Sequence, residues 1–386
     1  MNAVNRKKIR DQKANEEKDR LLDPEKLQKR RKKKIIRGFA AAGISLAAVV
    51  MLLFASFEVV KAIGKSNLQS RAAALPQMQT AEEEKTITQT EKETWKEGSV
   101  KYNGRVYAYN QDILTFLFLG IDKKNEVKEV EEGTDGGQAD ALFLLVLNPH
   151  DKSIRVIGIN RNTMTDIDMY NEYGAYVDTV TAQIAVQHGF GNGLEESCGY
   201  QVNAVKKLFY NLPVHGYCAV NMDAVIDITD LVGGIEVEAL EDVKSALPKT
   251  AGTYVARSGE TCFLDGEKAF SYVKYRDIRL PGSADMRLKR QQQFLTEFIK
   301  KTKAATRKDL TLPVQLYNAV TAKIVTDVTA DEVAYLASIA SGYRFDSEYF
   351  YSLKGETVQG EKFEEFYADD KALYEMILEI FYEPAE

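Results

Sequence analysis

The sequence predicts an α/β fold, a central mixed sheet sandwiched by helices and preceded by one transmembrane helix. Three observations predict it. Near-continuous apolar runs of strand length stand at 113–122, 139–149 and 153–159, as expected of strands covered on both faces. Segments of helical period come after them along the chain. Residues 38–57 (GFAAAGISLAAVVMLLFASF) carry no charge over 20 residues, which at ~1.5 Å per residue reaches ~30 Å, the thickness of a bilayer core.

Composition narrows the classes. The chain has 386 residues, 10% aromatic and 28% charged, a globular profile. Three cysteines exclude a disulfide scaffold, and His150, His188 and His215 are too scattered for a histidine zinc site. The net charge of −6 hides a split: residues 1–37 hold 15 Lys+Arg against 6 Asp+Glu, a local +9, which leaves −15 on the rest. An acidic bulk argues against nucleic acid as partner.

The basic arm reads as a topology signal. KRRKKKIIR stands just before the apolar run, and positive flanks stay cytoplasmic. The expected layout is therefore a cytoplasmic basic arm (1–37), a membrane helix (38–60), an extracytoplasmic tether (61–99), a main folded domain (100–305) and a C-terminal helical part (306–386) that completes or flanks it. The protein is expected in the cell membrane, single-pass, with its main domain outside the cytoplasm.

Within the domain, VKYNGRVYAY carries a hairpin signal at Asn103-Gly104. The runs ILTFLFLGID, ADALFLLVLNP and SIRVIGI predict three core strands. Helical patterns stand at about 178–188, 195–211 and 222–232, the last ending at Gly233-Gly234 before a short strand, IEVE. GEKAFSYV predicts another helix, residues 286–305 a long amphipathic one, and 309–321, 330–341 and 369–382 the C-terminal helices. Cys198 and Cys218 flank one helix–strand unit and are a candidate pair in an oxidising compartment.

Three segments could carry chemistry. KYRDIRLPGSADMRLKRQQ (274–292) holds Lys274, Arg276, Arg279, Arg287, Lys289 and Arg290, opposed only by Asp277 and Asp285. Lys274 and Arg276 share a face if extended, and Arg287, Arg290 and Gln291 share a helix face. Arginine suits bidentate grip on phosphate oxygens, so the segment is either a diphosphate site or a solvated basic face. Asp122 and Asp140 close and open successive core strands. They are either strand-end caps or, if those strands pair antiparallel, two carboxylates meeting at one edge, as a hydrated Mg²⁺ beside phosphate would need. Arg161, in INRNT after the third core strand, is either a ligand contact at a strand end or an exposed turn residue. HGFGNG lacks a Walker lysine or Rossmann context and reads as a loop, and G-x-S-x-G and H-E-x-x-H are absent.

The order FLFLGID, QADALFLLVLNP, VIGINRNT, MDAVIDITDLVGGIEV, LDGEKAFSYVKYRDIR, ADMRLKRQQ resembles the LytR–CpsA–Psr family of Gram-positive cell-envelope enzymes over about 113–300. The resemblance implies a membrane-anchored, Mg²⁺-dependent phosphotransferase that moves a glycopolymer from a polyprenyl-pyrophosphate carrier onto peptidoglycan in cell wall biogenesis, with pyrophosphatase activity as a further capacity. It implies an apolar prenyl pocket beside the sheet. It places Asp122 and Asp140 on the metal, makes Asp140, Arg161, Arg276 and Arg287 catalytic, and gives Gln138, Lys274, Arg279, Arg290 and Gln291 to the pyrophosphate. Asp140 is also the candidate to take the acceptor's proton. Gln138 and Lys274 stand where the family usually has an arginine, and Asn160 and Asn162 where it usually has a proline and an aspartate. They leave room for a competing class, a non-catalytic polyprenyl-phosphate-binding envelope protein or a transcriptional regulator or attenuator.

Overall fold

The computed structural model describes residues 58–71, 75–78, 95–124, 126–130, 136–309, 311–340 and 342–385. The expected membrane run 38–57 lies outside them, and among the described residues no helix is long and apolar enough to cross a membrane. The chain divides into two units between Ala62 and Ile63, and the described residues from Ile63 onward belong to the second.

The second unit is built on a six-stranded mixed sheet. Its strands in chain order are β1 (Leu114–Ile121), β2 (Ala139–Asn148), β3 (Ser153–Ile159), β4 (Gly216–Asn221), β5 (Ile324–Thr326) and β6 (Phe350–Ser352). The order across the sheet is β5-β4-β1-β2-β3-β6. The three apolar runs of the sequence form its middle: β1 pairs antiparallel with β2, and β2 with β3. β4 lies parallel to β1, and β6 parallel to β3.

Alternation assigns the faces. Leu117 and Leu119 of β1, Leu142 and Leu144 of β2, and Ile157 of β3 are fully buried on one face. Two helices cover it, α1 (Glu195–Leu208), through Cys198, Ala204 and Val205, and the C-terminal helix Asp370–Phe381, through Leu373, Ile377 and Phe381. Removing side chains of this size from water contributes roughly 2 kcal/mol each. Phe118, Phe143 and Val156 face the other way. They pack against Leu288 and Leu295 of a 24-residue helix, Ser283–Thr306. Two shorter helices flank it, α2 (Ala224–Leu231) and α3 (Gly266–Lys274); the long helix, next in the chain, is α4.

The Asn103-Gly104 hairpin forms as read: Val100–Tyr102 pairs with Arg105–Tyr109, and Asn103 (φ 48) and Gly104 (φ 77) both take the left-handed conformation that such a tight turn requires. Three expectations are corrected. The segment read as a helix at 178–188 is mostly strand: Tyr176–Gln183 pairs antiparallel with Met164–Tyr170, and only Ile184–Phe190 coils, as a 3₁₀ turn. Alternating β-branched residues (Val177, Thr179, Thr181) outweigh the helical spacing there. The stretch after 306 is also more than helical. It supplies both edge strands of the sheet and a hairpin of Gly355–Gln359 with Glu364–Ala368. Phe350, at the start of the edge strand β6, meets the ring of Phe143 edge-on at 5.9 Å. All three cysteines are free, so the candidate Cys198–Cys218 bridge is not formed. Cys198 Sγ instead lies 3.8 Å from His188 Nε2 inside the core.

Two buried histidines make stability sensitive to mild acid. Burial pushes His188 and His215 down to about 4. His215 Nδ1 accepts from the Thr115 amide at 3.0 Å, a bond only the neutral ring can take. The unfolded chain takes up both protons near pH 6.5 and the folded chain only near 4. Stability is therefore complete above 6.5 and declines as pH falls toward 4, by about 1.4 kcal/mol per pH unit for each histidine. The thermal midpoint of the full chain, followed by circular dichroism, is expected to drop between pH 6.5 and 5, before most carboxylates titrate. His215→Gln should lower the midpoint at pH 7.5 and flatten that slope.

Candidate functional site

The antiparallel pairing of β1 and β2 brings their outer ends together. Asp122 follows β1 directly, its amide donating to the Gln138 carbonyl at 3.0 Å, and Asp140 is the second residue of β2. β3 returns beside β2 with Ile159 opposite Leu142, so the loop after it delivers Arg161 to the same end. The loop is shaped by Asn160, whose side-chain oxygen accepts from the Asn162 amide at 2.8 Å. The Asn160 amide group also donates to Asp285 in the first turn of α4.

Asp140 is the hub. Arg287, on the buried face of α4, donates to it from Nη1 at 3.0 Å and from Nη2 at 3.5 Å. Arg161 Nε stands 3.1 Å from Asp140 Oδ1. All three side chains are withdrawn from solvent: Arg287 is 5% exposed, Asp140 8% and Arg161 15%. Burial pushes Arg287 down to about 10 and lowers Arg161 as well; Asp140 opposes the shift, and the neighbouring arginines, Arg276 among them, add to it. Both remain cationic at neutral pH. Arg161 Nε is in charge contact with Asp140 but poorly aligned, and it has no hydrogen-bond acceptor. A buried guanidinium N–H in that state is a donor waiting for an oxygen.

The remaining candidates divide. Gln138 accepts a hydrogen bond from Arg161 Nη2 and so belongs to the hub. Arg276 is held from two sides, its Nε donating to Ser283 Oγ at 3.0 Å and its Nη2 to Glu364 at 2.7 Å. Lys274 ends α3 and pairs with Asp122 at 2.5 Å. Lys274 and Arg276 therefore do not form one extended grip, because helix α3 runs through Lys274. Arg290 and Gln291 share the inward face of α4 with Arg287, but their donors go to backbone carbonyls. Arg290, fully buried, donates to those of Tyr272 and Tyr275 and lies 2.9 Å from Glu241; Gln291 donates to that of Val273. They lock α4 to the end of α3. Arg279 is 82% exposed and bound to its neighbour Asp277.

Glu364, in the C-terminal hairpin, is a site residue that the sequence does not reveal. It is 82 positions from its second partner, the Gly282 amide, which donates to it at 2.7 Å, and nothing local in the sequence marks it.

Beside the hub the sheet leaves an apolar cavity of about 120 Å³, lined by Phe118, Gly120, Ala141, Phe143, Met222 and Val273, and by Gln291, Phe294 and Phe298 of α4. Ala141 follows Asp140, and Gln291 lies one helical turn beyond Arg287. Small residues open it: a Cβ on Gly120 would stand 3.0 Å from that of Ala141. As for a metal, Asp122 and Asp140 are the hard oxygen donors, and among the described residues no group of three or more His, Cys, Asp or Glu could hold an ion. The pair fits Mg²⁺ only as one or two carboxylates supplementing phosphate oxygens and water.

The LytR_cpsA_psr family model matches residues 73–378. Curated proteins named polyisoprenyl-teichoic acid–peptidoglycan teichoic acid transferase TagU are similar: that of Bacillus cereus is 27% identical over 249 residues, 64% of this chain and 71% of its own. That of Halalkalibacterium halodurans is 26% identical over 228 residues, 59% of this chain and 65% of its own. A Bacillus anthracis form is 29% identical over 220 residues, with 57% and 62% covered, so the chain spans a little under two thirds of some of these relatives. Among solved structures, Bacillus subtilis TagV aligns with TM-score 0.53 and 22% identity over 69% of this chain and 96% of its own. A Streptococcus agalactiae protein aligns with TM-score 0.55 and 20% identity over 69% and 87%. These two likenesses establish a shared mixed α/β fold. With the family model covering most of its length, the chain belongs to the LytR_cpsA_psr family.

Proposed function

We propose that the chain is a phosphotransferase that moves a cell-wall glycopolymer from a polyprenyl diphosphate carrier onto a peptidoglycan hydroxyl. The observation that carries this reading is the junction of two opposite environments. Buried arginines from separate stretches of chain, Arg161 and Arg287, converge on Asp140, with Arg276 close enough to feel both, and an apolar cavity begins at the next residue, Ala141. A polyprenyl diphosphate has the same two-part character, a polyanionic head on a hydrocarbon chain. The names of the curated relatives agree with it.

The chemistry follows from the groups present. The acceptor oxygen attacks the phosphorus that carries the glycopolymer, the bond from that phosphorus to the bridging oxygen breaks, polyprenyl phosphate leaves, and the hydroxyl proton passes to water. Positioning and charge stabilisation suffice for such a transfer, and no protein nucleophile is needed. Arg161 and Arg287 hold the diphosphate and stabilise charge on the departing oxygen. Asp140, engaged by both guanidinium groups, fixes their orientation rather than acting as a base. Asp122 and Asp140 would hold a Mg²⁺ ion, which when bound would supply further countercharge. The uncharged run 38–57 behind its basic flank would place this head-group site at the outer membrane face. Tethering there raises the effective concentration of the lipid substrate.

Three outcomes are expected. Arg287→Lys keeps a cation against Asp140 but loses the planar fork. Release of polyprenyl phosphate should fall by about 10²-fold or more, with a smaller loss of thermal stability than Arg287→Ala, which leaves a buried carboxylate short of a partner. Binding without turnover in the parent chain would favour the non-catalytic alternative. Ala141→Phe should fill the cavity: the KM for a long-chain polyprenyl diphosphate should rise at least tenfold, while that for a short-chain analogue changes little. Chelation with EDTA should stop turnover reversibly yet leave the thermal midpoint unchanged, because Lys274 and the two arginines already neutralise both carboxylates.

A further inference from the structure

We propose that Glu364 is a positioning residue of the diphosphate site, acting through Arg276; this rests on the reading of the arginine cluster as that site. Glu364 lies at the start of the second strand of the C-terminal hairpin, Glu364–Ala368, far outside the stretch 122–291 that holds the expected site residues. Its side chain is 10% exposed. One carboxylate oxygen accepts from Arg276 Nη2 and the other from the Gly282 amide, each at 2.7 Å. Gly282 is the residue before α4, held at φ 71, a conformation that glycine adopts without strain.

The carboxylate thus joins two things the site needs fixed. Arg276 follows the end of α3 in a segment with no ladder to hold it, and its guanidinium must keep one orientation near two other buried cations. Glu364 and Ser283 take up Nη2 and Nε, and Nη1 is left with no partner among the described residues. Repulsion from Arg161 and Arg287, which would otherwise turn Arg276 outward, is offset by the negative charge. The hairpin carrying Glu364 is itself tied to the site loop. The Phe366 amide donates to the Asn162 carbonyl at 2.9 Å, Gln183 Nε2 donates to the Glu364 carbonyl at 2.6 Å, and Thr357 Oγ1 reaches Asp285 at 3.3 Å. Glu364 is therefore placed by the sheet-end architecture and not by a mobile tail.

The test is a double-mutant cycle on the full chain in detergent, with geranylgeranyl diphosphate as probe and affinity read by calorimetry. Glu364→Ala should weaken binding about tenfold and lower the thermal midpoint by a few degrees, since Arg276 and the Gly282 amide lose a largely buried partner, and Glu364→Gln, which keeps one accepting oxygen, should weaken binding less. In an Arg276→Ala background, Glu364→Ala should change affinity less than twofold, since the group it orients is gone. Equal losses in both backgrounds would mean a general structural role and overturn the proposal. So would unchanged or tighter binding in Glu364→Ala, the latter marking Glu364 as a competing internal anion. Should Glu364→Ala not fold, the same comparison made with Glu364→Gln decides. A parent chain that fails to bind the probe overturns the diphosphate reading, and this proposal with it, whereas a parent that binds while the cycle shows no coupling overturns this proposal alone.

Discussion

One buried carboxylate sets the geometry of this protein's working end. Guanidinium groups held within a few ångströms of one another repel, and each loses solvation as it is withdrawn from water. Asp140 makes the arrangement tolerable by accepting from Arg287 and standing in charge contact with Arg161. Its position is fixed from both sides: β2 begins beside the end of β1, and α4 lies across the sheet with Arg287 pointing down. The site is thus a consequence of where antiparallel strands end, and what those ends bring together is a cluster richer in cations than in anions.

The helix that delivers Arg287 needs its own restraint, which explains the residues that do not face the site. Arg290 spends its donors on the carbonyls of Tyr272 and Tyr275, and Gln291 on that of Val273. These are orphan acceptors at the C-terminal end of α3, where the helix has run out of amides to satisfy them. A cation there also complements the negative end of the helix dipole. Arg287, Arg290 and Gln291 therefore divide their labour: Arg287 meets the hub, while Arg290 and Gln291 hold the helix that carries it.

How much of this is legible in the sequence depends on whether the signal is local. The core strands are, because residues buried on both faces leave an unbroken apolar run. The approach of Asp122 to Asp140 at one sheet edge is legible only on the condition that the two strands pair antiparallel, because the 17 residues between them (122–138) are too many for a tight hairpin and leave the pairing open. The second strand of the 164–183 hairpin is not, because its spacing also satisfies a helical period, and only cross-strand pairing decides such a case. Edge strands of three residues, Ile324–Thr326 and Phe350–Ser352, are too short to show a period. Glu364 is hidden for a stronger reason: a carboxylate in a polar tail carries no mark of the arginine it will meet once the hairpin folds back. Basic residues can be counted, but which of them serve carbonyls and which serve the site is decided by burial alone.

The same geometry answers what the departures from the family pattern mean. Lys274 in place of arginine would be a serious loss if that position gripped phosphate through two parallel bonds. Its ammonium instead meets Asp122 as a point charge, for which lysine serves as well. Gln138 offers no positive charge, yet its carbonyl oxygen takes a hydrogen bond from Arg161 and so helps aim that guanidinium. Asn160 organises the loop through Asn162 and reaches α4 at Asp285, tasks that need an amide rather than a rigid ring. With the Lys274–Asp122 pair neutral, Arg161, Arg276 and Arg287 contact Asp140 and Glu364, one positive charge in excess among these five largely buried groups. On the proposed reading a diphosphate, which carries more negative charge than that, would be attracted without being fully neutralised. Charge developing further in the transition state would then meet donors already in place, the condition under which binding energy lowers a barrier instead of merely holding the ground state.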